Sequence, residues 1–186
     1  SSSSGLTLDG GLTIPSTHNK HDINGDLEAL SVVGIKNSAF RQQDFLTTVT
    51  MPNSITGIDS KAFQNCDRLF KVTLSNSLSK ISDRVFSSCP QLRNITIPST
   101  VTGIEEFAFF DCRGLTGINI PSNVTSIENS AFNTCTGLAT INLLATTPPT
   151  VGTNVFSNVA TTEIHVPSSA SSSYGSTYGG VTAIAD

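Results

Sequence analysis

The chain has 186 residues, a formal net charge of −4 and 13% charged residues. Soluble domains average roughly 25% charged residues, and this acidic balance leaves no cationic excess to neutralise phosphates, so nucleic acid is not an expected partner. No apolar run approaches the roughly 18 residues of a membrane-spanning helix, and membrane contact is expected only through an anchor outside this chain.

Residues 1–30 predict an N-terminal cap. Two short apolar segments flank Asp9 and Gly10 within residues 6–15, a pattern typical of a hairpin. Residues 16–29 then form an insertion, in which we expect the longest irregular loop. The insertion holds the compact polar cluster His18, Lys20, His21 and Asp22. A metal site would need both histidines presented by one tight turn, so a solvated loop is the favoured interpretation.

A 23-residue period organises residues 31–145 into five predicted repeats. Two rare residue types keep this interval, at Phe40, Phe63, Phe86, Phe109 and Phe132 and at Cys66, Cys89, Cys112 and Cys135. Columns of Leu, Val and Ile follow the same interval. Such periodicity is typical of solenoids, in which each unit buries its apolar side against its neighbours.

Each unit mixes two local patterns. Residues 92–98 alternate apolar with polar side chains and are rich in β-branched residues, which predicts a short strand ended by Pro98. Residues 104–112 predict a turn of α or 3₁₀ structure that points Ala108, Phe109 and Cys112 inward. Stacked units would form a parallel sheet on one face and short helical turns on the other.

The repeating unit, IxxxAFxxCxxLxxIxIPxxVxx, resembles that of the BspA-like class of bacterial surface leucine-rich repeats. The resemblance implies an α/β leucine-rich-repeat solenoid, a right-handed β-α superhelix with capped ends, in a secreted or cell-surface protein. Gln43 stands at the Cys position of the first unit, and Leu144 replaces the strand-ending Pro of the fifth. These two departures mark the ends of the regular array.

Residues 146–186 predict a C-terminal capping unit that belongs to the same structural domain. Phe156 stands one position later than the repeat period predicts from Phe132, whereas Ile164 and Val166 return to the regular spacing. Because both ends have atypical segments that could cover the terminal coils, we expect a monomer.

Neither cofactors nor catalysis are expected. Cysteines of adjacent coils would lie about 5 Å apart, which permits disulfides, but equivalent columns point in parallel and favour packed free thiols. Single cysteines, one in each repeat, lack the close pairing of structural zinc ligands. No nucleophile with a fixed base is recognisable either.

Function is expected on the outward side of the strands, the common binding surface of solenoids. Strand alternation places on it Thr48, Thr50, Lys71, Thr73, Asn94, Thr96, Asn119, Thr140, Asn142, Glu163 and His165. These columns hold no aromatic row and no Arg cluster, and their Thr and Asn side chains could equally serve only the neighbouring coils. The resemblance implies a non-catalytic adhesion module that binds a protein or another extracellular macromolecule; the alternative is a structural spacer without a ligand.

Overall fold

A computed structural model describes residues 9–21, 27–161 and 163–186, and these form a solenoid of stacked coils. The fold is therefore the predicted parallel leucine-rich-repeat solenoid. The predicted strand at residues 6–8 and the side chain of Asp22 lie outside the described residues.

The first ladder contains the repeat strands that sequence alternation predicted, together with a C-terminal strand, Val181–Ala185, that it did not predict. They are β1 (Gly11–Thr13), β5 (Thr48–Thr50), β7 (Lys71–Thr73), β9 (Asn94–Ile95), β11 (Gly117–Ile120), β13 (Thr140–Leu143), β15 (Glu163–Val166) and β17 (Val181–Ala185). Neighbouring coils pair in parallel, so that Val49 aligns with Val72 and Val72 with Ile95. At the last coil β16 (Thr177–Tyr178) pairs antiparallel with β17.

A second parallel ladder was missed by the sequence analysis. It is interrupted between its second and third strands, so that β4 (Gly34–Ile35) pairs with β6 (Gly57–Ile58) in one sheet. The other sheet contains β8 (Lys80–Ile81), β10 (Gly103–Ile104), β12 (Ser126–Ile127) and β14 (Thr150–Val151). Strands this short show no alternation in a sequence, and only their inward Ile column was visible. The second ladder gives each coil a second straight side beside the core.

The described parts of the insertion are two paired strands, so the predicted irregular loop is wrong for those residues. β2 (Thr17–His21) and β3 (Leu27–Ser31) pair antiparallel, with Thr17 opposite Ser31. β-ladder hydrogen bonds satisfy backbone groups within the insertion itself. The short polar segment of β2 lacks the apolar alternation by which strands are recognised from sequence.

The core is built around one stacked column of phenylalanine rings. Consecutive rings lie 5.1 to 5.7 Å apart between centroids, with interplanar angles of 6° to 19°. Phe63, Phe86, Phe109 and Phe132 are fully buried. Stacked aromatic pairs add to the stabilisation from burial alone, so the column ties each coil to the next.

The turns that carry these rings are not helical, which corrects the predicted α or 3₁₀ turn. Alternate amides donate to carbonyl oxygens of the following coil, as Phe63 does to Val85 at 3.0 Å. Lys61 and Asn65 hold positive φ, and their amides also donate to the next coil, at 3.0 and 2.9 Å. Left-handed backbone costs an L residue roughly 1–2 kcal/mol, which these inter-coil hydrogen bonds help to offset.

The irregular spacing before Phe156 is absorbed without loss of stacking. Ser126 of β12 aligns with Thr150 of β14, one position beyond the repeat interval, so the extra residue lies between β13 and β14. Asn142 aligns with His165 at the usual repeat interval. The Phe156 ring consequently stacks on the Phe132 ring at 5.6 Å.

Two buried tyrosines hydrogen bond the C-terminal segment to the stretch between β13 and β14. The Tyr174 hydroxyl donates to the Ala145 oxygen at 2.8 Å, and the Tyr178 hydroxyl donates to the Pro149 oxygen at 2.6 Å. The segment contains a 3₁₀ turn, Ser168–Ala170, and a single α-helical turn, α1 (Ser171–Tyr174). Within the described part of the chain, no helix has the length and apolar character needed to span a membrane.

Replacement of Phe86 by Ala should lower the free energy of unfolding by roughly 3–5 kcal/mol, because it leaves a cavity in the buried column. Phe70→Ala is the matched control, since the Phe70 ring is 44% exposed, and should change it by less than about 1 kcal/mol. Urea unfolding followed by circular dichroism measures both. A loss below about 1 kcal/mol for Phe86→Ala would contradict the inward column.

Candidate functional site

The candidate site is the strand face, defined as the outward side of β5, β7, β9, β11, β13 and β15. The residues between the outward positions, such as Val72 and Ile141, are buried and fix the direction of their neighbours. All the side chains predicted for the site lie on this face and are exposed or half-buried: Thr48, Thr50, Lys71, Thr73, Asn94, Thr96, Asn119, Thr140, Asn142, Glu163 and His165. Their role in ligand binding remains a prediction.

The threonines of the strand face differ from those beside the second ladder. The Thr102 hydroxyl donates to the Ser79 oxygen at 3.2 Å, and the Thr125 hydroxyl donates to the Thr102 oxygen at 3.1 Å. Thr50, Thr73 and Thr96 are exposed, and their hydroxyls form no hydrogen bond with another described residue. Threonines beside the second ladder therefore serve the stack, whereas the strand-face hydroxyls are available to a ligand.

In the C-terminal half of the strand face, polar side chains bond to one another. The Asn142 amide donates to the Asn119 side-chain oxygen at 2.7 Å. His165 Nδ1 lies 2.6 Å from the Asp186 carboxylate, which holds the ring at the end of the face. Among the described residues no Ser or Cys side chain is hydrogen bonded to this ring, so the arrangement supplies no activated nucleophile.

A depression lies where the first ladder is interrupted. β9 and β11 belong to separate sheets, and a depression of 470 Å³ covers the gap between them. Gly117 contributes no side chain in the column that Lys71 and Thr140 share, and Leu144 at the rim is 51% exposed. The depression therefore combines polar side chains with exposed apolar surface.

A second concavity, which we name the edge groove, lies immediately before the strands of the face. It has a volume of 580 Å³ and is lined by Thr47, Asp67, Arg68, Phe70, Gln91 and Arg93. The Phe70 amide donates to the Thr47 oxygen at 2.9 Å, and the Arg93 amide donates to the Phe70 oxygen at 3.1 Å. These hydrogen bonds place Thr47, Phe70 and Arg93 side by side on successive coils.

The edge groove lies outside the strand columns, which hold no aromatic row and no Arg cluster. Phe70 and Arg93 each stand one position before a strand. A usable signal was present in the sequence, because Phe70 shares its column with Thr47, Arg93 and Thr116. A column with polar members is not a core column, so its Phe had to be exposed.

Several charges on the turn side are paired with one another. Lys80 Nζ lies 2.6 Å from the Glu105 carboxylate, and the Arg84 guanidinium lies 2.6 Å from the Asp83 carboxylate. The Arg84 guanidinium also sits 4.4 Å above the centre of the Phe107 ring, within cation–π range. These contacts engage Lys80, Arg84 and their acidic partners within the turns.

The histidine-bearing insertion shows no assembled metal site in the part that is described. His18 lies on β2 and is exposed, while the His21 side chain and Asp22 fall outside the described side chains. Throughout residues 9–21, 27–161 and 163–186, no three His, Cys, Asp or Glu side chains are grouped to hold a metal ion.

The four cysteines are buried free thiols, as the packed-thiol interpretation predicted. Each thiol donates to the phenylalanine carbonyl of the preceding coil, at 3.0 to 3.2 Å, with Cys112 bonded to Phe86 as one example. The cysteine column thus satisfies backbone oxygens inside the turns. Burial raises the pKa of the Cys112 thiol, and it raises the pKa of the Cys135 thiol to about 12.

Similar proteins share both the repeat and the fold. The family model of the BspA type leucine rich repeat region matches residues 33–163 and 103–185, in six copies. A leucine rich cell surface protein of Faecalibacterium prausnitzii is 35% identical over 72% of this chain and 32% of its own, with a TM-score of 0.60. The pneumococcal vaccine antigen PcpA is 22% identical over 87% of this chain and 41% of its own, with a TM-score of 0.71, and shares the fold.

A leucine rich repeat protein of T. pallidum is 24% identical over 83% of this chain and 84% of its own, with a TM-score of 0.57, and also shares the fold. This chain spans about a third of the length of the F. prausnitzii protein. No curated protein sequence matches it.

Parallel strands at a fixed interval, with an inward skeleton of Leu, Ile and Val, define a leucine-rich-repeat solenoid. The inward Phe and Cys columns match the repeating unit of one type of leucine-rich repeat, the BspA type. The chain belongs to the BspA-type leucine-rich-repeat family.

Because their pKa values are raised by burial, the thiols of Cys112 and Cys135 should not react with Ellman's reagent in the native protein near pH 8. After unfolding in urea, all four cysteines should react. Thiol titration with and without urea makes the comparison. Fewer than four reactive groups in urea without reductant would show that some cysteines are oxidised.

Proposed function

We propose that the chain is a non-catalytic binding module of a secreted or cell-surface protein, and that it contacts an extracellular macromolecule through the strand face. The observation that carries this proposal is the row of exposed hydroxyls at Thr50, Thr73 and Thr96, which form no hydrogen bond with another described residue. Membership of the BspA-type family supports the location, as does similarity to the F. prausnitzii cell surface protein.

The shape of the strand face favours a macromolecule over a small molecule. Small-molecule sites bury most of the ligand surface inside a cleft. Here the depression over the β9–β11 gap is open to solvent and continues along a face whose coils follow each other at about 4.8 Å. An extended partner could contact several coils at once, with a hydroxyl or amide available on each.

A spacer without a ligand is the second candidate. It is supported by the coil-to-coil bonds of Thr102 and Thr125, which show that polar side chains also serve the stack. The chain also spans only 32% of its F. prausnitzii relative, which leaves room for other segments in such proteins. In a spacer the hydroxyls of Thr50, Thr73 and Thr96 would contact water alone, since none bonds another described residue.

Binding to a panel of purified extracellular-matrix and plasma proteins, measured by biolayer interferometry, separates the two candidates. Thr140→Lys should weaken binding to the protein recovered about tenfold, because it fills the depression. This substitution copies Lys71 of the same column, and the control Ser126→Lys copies Lys80 on the second ladder, so both side chains suit the fold.

The binding-module proposal expects at least one panel protein to bind and Ser126→Lys to bind it as the unmodified chain does. No binding by any panel protein would favour the spacer. An equal loss for Thr140→Lys and Ser126→Lys would remove the strand face as the contact surface.

A further inference from the structure

We propose that the edge groove binds a short acidic segment of a protein partner, one that also carries an apolar side chain. This rests on the proposed binding function, but it assigns a separate subsite and states the chemistry of its partner. Three features of the described residues support it: unpaired cations, an exposed aromatic ring, and the distribution of charge along the face.

The cations at the groove form no ion pair with the residues that the structure describes. Arg68 and Arg93 line the groove, and Lys71 stands beside Phe70 at the start of β7. All three are exposed, and none forms an ion pair with another described residue. Asp67 is the single carboxylate in the lining, so the local charge is positive in a chain whose net charge is −4.

The ring of Phe70 is exposed to solvent. It is 44% exposed and forms no ring contact with another described aromatic residue. By contrast, the face of the Phe107 ring on the turn side is covered by the Arg84 guanidinium. Covering Phe70 with an apolar side chain would remove aromatic surface from water, which favours binding.

Arg side chains suit carboxylates in particular. A guanidinium offers paired N–H donors that match the two oxygens of a carboxylate, and two such groups line the same groove as the Phe70 ring. Asp or Glu side chains on both sides of an apolar residue would therefore meet Arg68, Phe70 and Arg93 together. The 580 Å³ groove holds a few side chains and does not hold a folded domain.

The distribution of charge favours a short acidic segment over a long polyanion. The groove cations are confined to adjacent coils, a span on the order of 10 Å. Glu163 and Asp186 lie at the other end of the strand face and would repel a uniformly charged polysaccharide laid along it. A peptide can place its acidic residues at the groove alone.

Selection of a random phage-displayed peptide library against the full chain tests the proposal. The selected peptides are then measured by fluorescence anisotropy on three variants. Arg93→Thr and Phe70→Thr change the groove and copy the residues Thr47 and Thr116 of the same column. Arg113→Thr is the matched control, because it removes an exposed Arg already paired with Asp111 and copies Thr136.

The proposal expects the selected peptides to contain acidic residues next to an apolar side chain. It also expects Arg93→Thr and Phe70→Thr each to weaken binding about tenfold or more, with Arg113→Thr unchanged. Added salt should weaken binding as well, because exposed charges are screened. Peptides without acidic enrichment, or peptides that bind the groove variants as tightly as the unmodified chain, would overturn it.

Retention on a heparin–agarose column tests whether the groove binds a polyanionic polysaccharide instead. The proposal would be overturned if the library gave no binding peptides and strong retention on heparin were lost in Arg93→Thr. The groove would then be assigned to a polysaccharide. The proposed function can survive this failure: a panel protein whose binding is weakened by Thr140→Lys and unaffected by Arg93→Thr would keep the strand face as a binding surface and reject the edge groove.

Discussion

The alignment of each coil on the next is the constraint on which the rest of this molecule depends. It is maintained by stacked Phe rings in the core, by paired strands on two sides, and by turn amides such as that of Phe63, which bond to the following coil. A unit alone would leave these amides and rings without partners. Stability therefore comes largely from contacts between neighbouring repeats, and surface positions acquire a fixed spacing from the same alignment.

The sequence was sufficient for the period, the inward columns and the strand face, because a repeated apolar residue reports burial wherever the core is continuous. It was insufficient where the backbone, and no side-chain pattern, determines the structure. The β8 and β10 strands are too short to alternate, and the positive φ of Lys61 depends on a carbonyl in the next coil. The edge groove was missed for a related reason, since Phe70 lies just outside a strand.

Two sides of the solenoid use similar residues for different purposes. Hydroxyls such as that of Thr125 join coils beside the second ladder, whereas that of Thr73 on the strand face bonds no residue in the described part of the chain. Arg84 is paired twice on the turn side, whereas Arg93 at the edge groove has no partner among the described residues. The strand face and the edge groove thus offer hydroxyl, cationic and aromatic groups that a partner could engage.

Native-state hydrogen exchange tests the account of the stacking most directly. The amides of Phe63, Phe86 and Phe109 donate to the following coil, so they should exchange as slowly as the strand amides of β5 and β7, because both are exposed only when coils separate. Similar protection at the two sets of amides is the predicted result. Rapid exchange at the Phe amides with protected strands would contradict the account, since the turns would then open without separation of the coils.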